Sequence, residues 1–135
     1  MEEHDKDDLL DDEFISLLLT LFNDSPDAIL VVDESGVIKH VNNQAQLLFG
    51  YHKTEIKGQL VEMLIPDALA SKHREHRARF VDDPKLRPMG YGLELKAKKK
   101  NSTEVMVEIN LSPVSTPTGM RVIATIRRKA THDGD

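Results

Sequence analysis

The chain contains no cysteine. That absence excludes a disulfide scaffold, a thiolate metal site and photochemistry through a cysteinyl-flavin bond. Aromatic residues make up only 4% of the 135 residues, so the stacking surfaces a flavin ring often uses are scarce. No apolar run approaches the ~20 residues that cross a bilayer. The opening MEEHDKDD is acidic, where a secretory signal is basic. The expected compartment is therefore the cytoplasm, with no membrane partner. An excess of base is missing too: a formal net charge of -5 gives no electrostatic support for coating nucleic acid. Nor is there a phosphate loop, a Ser/His/Asp order with supporting glycines, or a carboxylate pair in an expected cleft. The chain is read as not an enzyme.

What is present suits one domain with a modest core and short extensions. Residues 1–7 read as an acidic disordered head, 8–22 as an amphipathic helix, 23–128 as the domain proper, and 129–135 as a polar tail. Asp7 and Asp8 are placed to cap the helix. Leu10, Phe14, Leu17, Leu18 and Leu21 follow helical spacing, and Leu9, Ile15, Leu19 and Phe22 widen the stripe. That is more apolar surface than one packing face needs, so the helix either lies over its own sheet or meets a second copy of itself. A homodimer through Leu10, Phe14, Leu17, Leu18 and Leu21 is the expectation adopted. The basic runs at 96–100 and 127–129 read as solvated strand ends.

The stretch SPDAILVVDESGVIKHVNNQAQLLFGYHKTEIKG reads as two short strands about a tight turn, then small helices. Alternation sets Val37 and Val41 on one face of the second strand, with Ile38 and His40 opposite. Asn42-Asn43 supplies a helix N-cap and Gly50 the stop. Pro66 opens a long helix over residues 66–81. On it Leu69, His73, His76 and Phe80 recur at i, i+4, i+7 and i+11, while Lys72, Arg74, Glu75 and Arg77 fall elsewhere, so two imidazoles turn inward. Tyr91, Leu93, Leu95 and Ala97 alternate on a third strand, and Val105, Val107, Ile109 and Leu111 on a fourth. A turn over 113–119 leads to a fifth. Five strands with helices gathered between the second and third predict an antiparallel α+β domain.

In this order the pieces SPDAILVVDESGVIKHVNNQAQLLFGY, LIPDAL and GYGLELKAKKKNSTEVMVEINLSPV resemble the PAS family of sensory domains. The resemblance implies an α+β PAS fold, a five-stranded antiparallel sheet whose concave face meets the helices around a pocket. It also implies detection of a small molecule, cofactor binding or dimerisation, and a signal passed to an effector domain or partner protein, as in two-component systems. LIPDALASKHREHRARF is further similar to the long helix of haem-binding PAS domains of the FixL/DOS oxygen-sensor type, in which a histidine ligates the iron. That histidine matches His73. Arg79 then falls where those domains place a partner for a haem propionate, and Arg87 lies on the approach to the pocket, which Ile109 and Leu111 help to line. Two departures stand out: Leu93 replaces the distal arginine that binds oxygen, and Tyr91 stands where one such sensor supplies a methionine. Apart from the Tyr91 phenol, a haem here would have an apolar distal side, suited to carbon monoxide over oxygen.

Haem b on His73 is accordingly the cofactor expectation, with His76 beside it. The other reading is that His73 or His76 bonds a backbone carbonyl or lines an empty cleft. A two-His metal site at His73 and His76 lacks further ligands. Flavin is disfavoured, because Asn42 or Asn43 is better explained as the cap than as an amide reaching a ring edge with Gln44. Lys129 stands where the family often has the aspartate of an Asp-x-Thr exit, which speaks against output through the C-terminus.

Overall fold

The computed structural model describes residues 11–82 and 93–129. Helix α1 spans Asp12–Asn23. Its cap is Asp11, whose carboxylate accepts from the Phe14 amide at 2.8 Å, with Asp12 and Glu13 at the positive end of the helix dipole. The cap is thus later than the expected Asp7/Asp8, which with Leu9 and Leu10 lie outside the described residues. None of the α1 side chains is buried. The helix does not fold back over its own sheet.

Strand β1 (Ala28–Asp33) alternates buried and half-buried residues and pairs with β2 (Ile38–Val41) around a turn. In that turn Asp33 Oδ1 accepts from the amides of Ser35 and Val37, at 2.9 and 3.0 Å. Leu30 pairs with Val41 and Val31 with His40, but Val32 pairs with Ile38. Lys39 is therefore an extra residue, a β-bulge. The bulge overturns the strict alternation expected for β2: Ile38 and Val41 both point into the core, while His40 stays outside.

Three short helical pieces follow, α2 (Asn43–Phe49), α3 (Lys53–Ile56) and a 3₁₀ turn, Val61–Leu64. Gly50 ends α2 at φ 80°, a left-handed conformation that glycine adopts without strain. The long helix α4 spans Asp67–Asp82 and begins just after Pro66. Strands β3 (Leu93–Lys98), β4 (Glu104–Thr116) and β5 (Gly119–Arg128) complete an antiparallel sheet of order β2-β1-β5-β4-β3. This is the predicted α+β PAS fold. The turn expected over 113–119 is tighter than that, because Thr116 already pairs with Gly119. Pro113 sits within β4 opposite Val122. A proline is tolerated there because, among the described residues, β3 pairs with β4 no further than Ile109.

One face of the sheet carries the core: Leu30, Val107, Ala124 and Ile126 from the strands meet Phe49, Ile56 and Leu64 from the helical pieces. Asn42 is the polar exception. Fully buried, it accepts from Ala45 N and Ile29 N through Oδ1 and donates to the carbonyls of Phe22 and Asp27 through Nδ2, all between 2.8 and 3.0 Å. A cap expected to be local thus also ties α1, β1 and α2 together.

Candidate functional site

The core does not fill the space between the sheet and α4. A cavity of about 230 Å3 remains, floored by Leu30, Val107, Ile109, Leu111, Ala124 and Ile126, flanked by Phe49 and Leu64, and roofed by α4. Leu69, Lys72, His73, His76 and Arg77 form the α4 edge. The floor is apolar because the inward positions of three antiparallel strands share it. The edge is polar because α4 is a charged helix: none of its described side chains is fully buried. Polar links hold α4 in place. Lys98 on β3 donates to Asp67 in the first turn of α4 at 2.7 Å, and this bond lowers the Asp67 carboxyl and raises the Lys98 ammonium.

The second link is an ion-pair knot. Glu62, in the 3₁₀ turn, keeps only 2% of its side chain exposed. Arg77 grips it with two bonds, Nε to Oε2 at 2.9 Å and Nη2 to Oε1 at 3.1 Å, a fork that suits a planar guanidinium. His73 Nδ1 lies 2.7 Å from Oε2, and Arg74 Nε 4.0 Å from Oε1. Burial by itself would raise the Glu62 carboxyl, but the bonds from Arg77 and His73 outweigh it and hold the group below its ordinary value. The Arg77 guanidinium also lies against the β1–β2 turn: Gly36 has φ 86°, and a Cβ there would stand 2.6 Å from Arg77 Nε. A side chain at 36 would therefore be strained and would displace Arg77.

A PAS domain family model matches residues 26–127, a region that contains the described strands, save the last residue of β5, and the whole lining of the cavity. The chain belongs to the PAS domain family. Sensor protein FixL of Bradyrhizobium diazoefficiens is 28% identical over 96 residues, 70% of this PAS chain and 19% of that protein. Oxygen sensor protein DosP of Escherichia coli is 29% identical over 98 residues, covering 73% and 12%. The chain thus spans about a fifth or less of the length of these two curated relatives. Among solved structures, the PAS domain of the Cronobacter turicensis RpfR quorum-sensing receptor in complex with C12:0 matches with a TM-score of 0.65 at 19% identity, covering 78% of this chain and 96% of that one. At that identity the likeness carries the fold alone.

In this PAS domain His73, His76, Ile109 and Leu111 all line the cavity. His73 is half-buried with Nδ1 on the carboxylate, whereas His76 is exposed at the mouth rather than turned into the interior. Arg79 is displaced from the expected site: 69% exposed, it pairs with Glu75 at 3.7 Å on the solvent side and does not line the cavity. Arg87 and Tyr91 lie outside the described residues, and Leu93 is placed by its backbone pairing with Ile109. Arg77 and Lys72, assigned to the outer faces of α4, line the cavity instead. Arg77 can do so because its long stem carries the guanidinium across to Glu62. The amides considered for flavin are elsewhere: all four bonds of Asn42 are committed to backbone, and neither Asn43 nor Gln44 lines this cavity. Glu62 was missed by the sequence reading. Its one signal was a lone acid inside the apolar run LVEMLIP, facing a helix rich in His and Arg.

Proposed function

We propose that the chain is the sensory module of a signalling protein, which takes a small, mainly apolar ligand between α4 and the sheet and passes its occupancy to a homodimer built on α1. The carrying observation is the cavity: about 230 Å3 lies under a helix that, among its described side chains at 67–79, is attached by Lys98–Asp67 and by the Glu62 knot rather than by deeply buried apolar residues. Such a helix can shift at low cost, and a ligand that fits one of its positions better biases the pair of states. An effector domain or partner protein then reads the dimer. The role proposed is binding rather than catalysis.

The test is a titration of the isotopically labelled chain with 1-octanol, followed by amide chemical shifts. Shifts at Val107, Ala124 and Leu111 together with shifts in α1 are expected. Shifts confined to the cavity would defeat the transmission step, and a dimer affinity indifferent to the probe would favour the other reading, a constitutive dimerisation module.

Haem is the second reading, favoured by one observation. With Nδ1 on Glu62, the His73 ring keeps Nε2 free for a metal, and a carboxylate behind a ligating histidine is the common arrangement for fixing its tautomer. The donor chemistry fits. Haem would supply gas binding at an iron held by His73, with Glu62 orienting the ring. The space does not fit: about 230 Å3 falls below the roughly 300–1,000 Å3 of pockets for drug-sized ligands, and Arg79 faces away. The absorption spectrum decides. A Soret band lost in His73→Ala supports haem; a chain that stays colourless after haem is added removes it.

A further inference from the structure

Charge is unevenly placed around the cavity, and its position on α4 bears on the ligand. This inference rests on the small-ligand reading above and concerns which ligand class the same site selects. Four cationic or titratable side chains stand on the α4 edge, but two of them are engaged: Arg77 and His73 are bound to Glu62. Lys72 and His76 are different. Both are exposed, both line the cavity, and neither has an ion pair or hydrogen bond to a described side chain. Four residues apart on one helix, they are neighbours in space. The remaining charged lining groups are Asp33, whose Oδ1 is occupied by the Ser35 and Val37 amides, and Lys96, which faces Glu104 at 3.9 Å. Asp33 keeps its negative charge on β1, but on the α4 edge the charge without a described partner is the Lys72 ammonium, and the space behind it is apolar.

The volume sets the length. At about 230 Å3 the space falls below the roughly 300–1,000 Å3 of pockets for drug-sized ligands, which favours a chain of medium length. We propose that the cavity takes a medium-chain alkyl carboxylate, its chain on the floor of Val107, Ile109, Leu111 and Ala124 and its carboxylate at Lys72 and His76. A cationic head would be repelled there, and a neutral head would leave the Lys72 charge unanswered. With the floor closed by buried Leu30 and Phe49 at the flank, chains much longer than octanoate are expected to fit less well.

The experiment is a set of calorimetric titrations of the full chain at pH 7 and low salt with octanoate, 1-octanol, octylamine and hexadecanoate. Octanoate is expected to bind about tenfold tighter than octanol, the factor that roughly 1.4 kcal/mol of head-group interaction gives. Octylamine should bind weakest, and the octanoate advantage should shrink as ionic strength rises. Lys72→Ala should reduce the octanoate advantage to about threefold or less without altering octanol binding, while Lys72→Arg should keep most of it. The unchanged octanol affinity shows that the variant's cavity is intact. Octanol binding as tightly as octanoate would overturn the head-group assignment and leave the ligand pocket standing. Hexadecanoate binding more tightly than octanoate would overturn the length. If neither octanoate nor octanol binds, the pocket reading itself fails and this inference fails with it.

Discussion

Glu62 places a negative charge where water is excluded, and such a charge is tolerable only when its oxygens are answered. Arg77 and His73 answer both oxygens, so stability follows the ionisation of this carboxyl. Its folded value lies below the ordinary 4.5, and between those two values the unfolded chain binds more protons than the folded one. The stabilisation is then complete above about pH 4.5 and drains away as the pH falls through the lower, folded value. Glu62→Gln should cost about 2–3 kcal/mol at pH 7, the range for losing hydrogen bonds to a charged partner, and should flatten the acid limb of stability against pH. Urea melts between pH 3 and 7 check both, and an acid limb unchanged in the variant would rule Glu62 out as its source. None of this was legible from periodicity alone. An apolar stripe predicts which face of α4 turns to the sheet, and Leu69 and His73 do line the cavity. It says nothing about a long cation one position off the stripe that reaches back to a buried acid.

At the level of elements, the continuous apolar run of β1 and the alternation in β3 and β4 sufficed to find the sheet, because these strands turn one side to the core. Alternation failed in β2, where one extra residue, Lys39, reverses the facing of everything before it. Nothing in VIKHV marks that insertion; it exists only in the pairing with β1. Asn42 shows the same boundary between local and tertiary information. Its bond to Ala45 follows from the sequence, whereas those to Phe22, Asp27 and Ile29 span thirteen to twenty residues. The bond to the Phe22 carbonyl attaches the last turn of α1 to the domain. Asn42→Asp separates the two roles, since a carboxylate still accepts from Ala45 and Ile29 but cannot donate to the carbonyls of Phe22 and Asp27. Two buried acceptors would then face a negative charge, at a cost of about 2–4 kcal/mol. Amide exchange in the last turn of α1 should accelerate more than exchange in β4 or β5. Equal acceleration in both would mean that Asn42 supports the whole core rather than the junction.

For the whole molecule the open question is what covers α1. Phe14, Ile15, Leu17, Leu18, Leu19 and Leu21 are each at least 40% exposed, and a helix of 12 residues is marginal in water unless it packs. Its own sheet does not cover it, so a second copy of the same helix is the partner its composition suits: the stripe has no charge that would hinder self-association, and its acids lie at the N-terminal end. Leu17→Glu combined with Leu21→Glu puts two carboxylates into that contact and touches nothing in the core. The expected outcome is a shift from dimer to monomer in sedimentation, with about 25 cal/mol lost per Å2 of apolar contact and the thermal transition of the sheet nearly unchanged. Helical ellipticity should also become independent of concentration, because α1 would no longer be stabilised by association. A variant that sediments as a dimer would place the interface on another surface, and occupancy of the cavity would then have to reach a partner by a route other than α1.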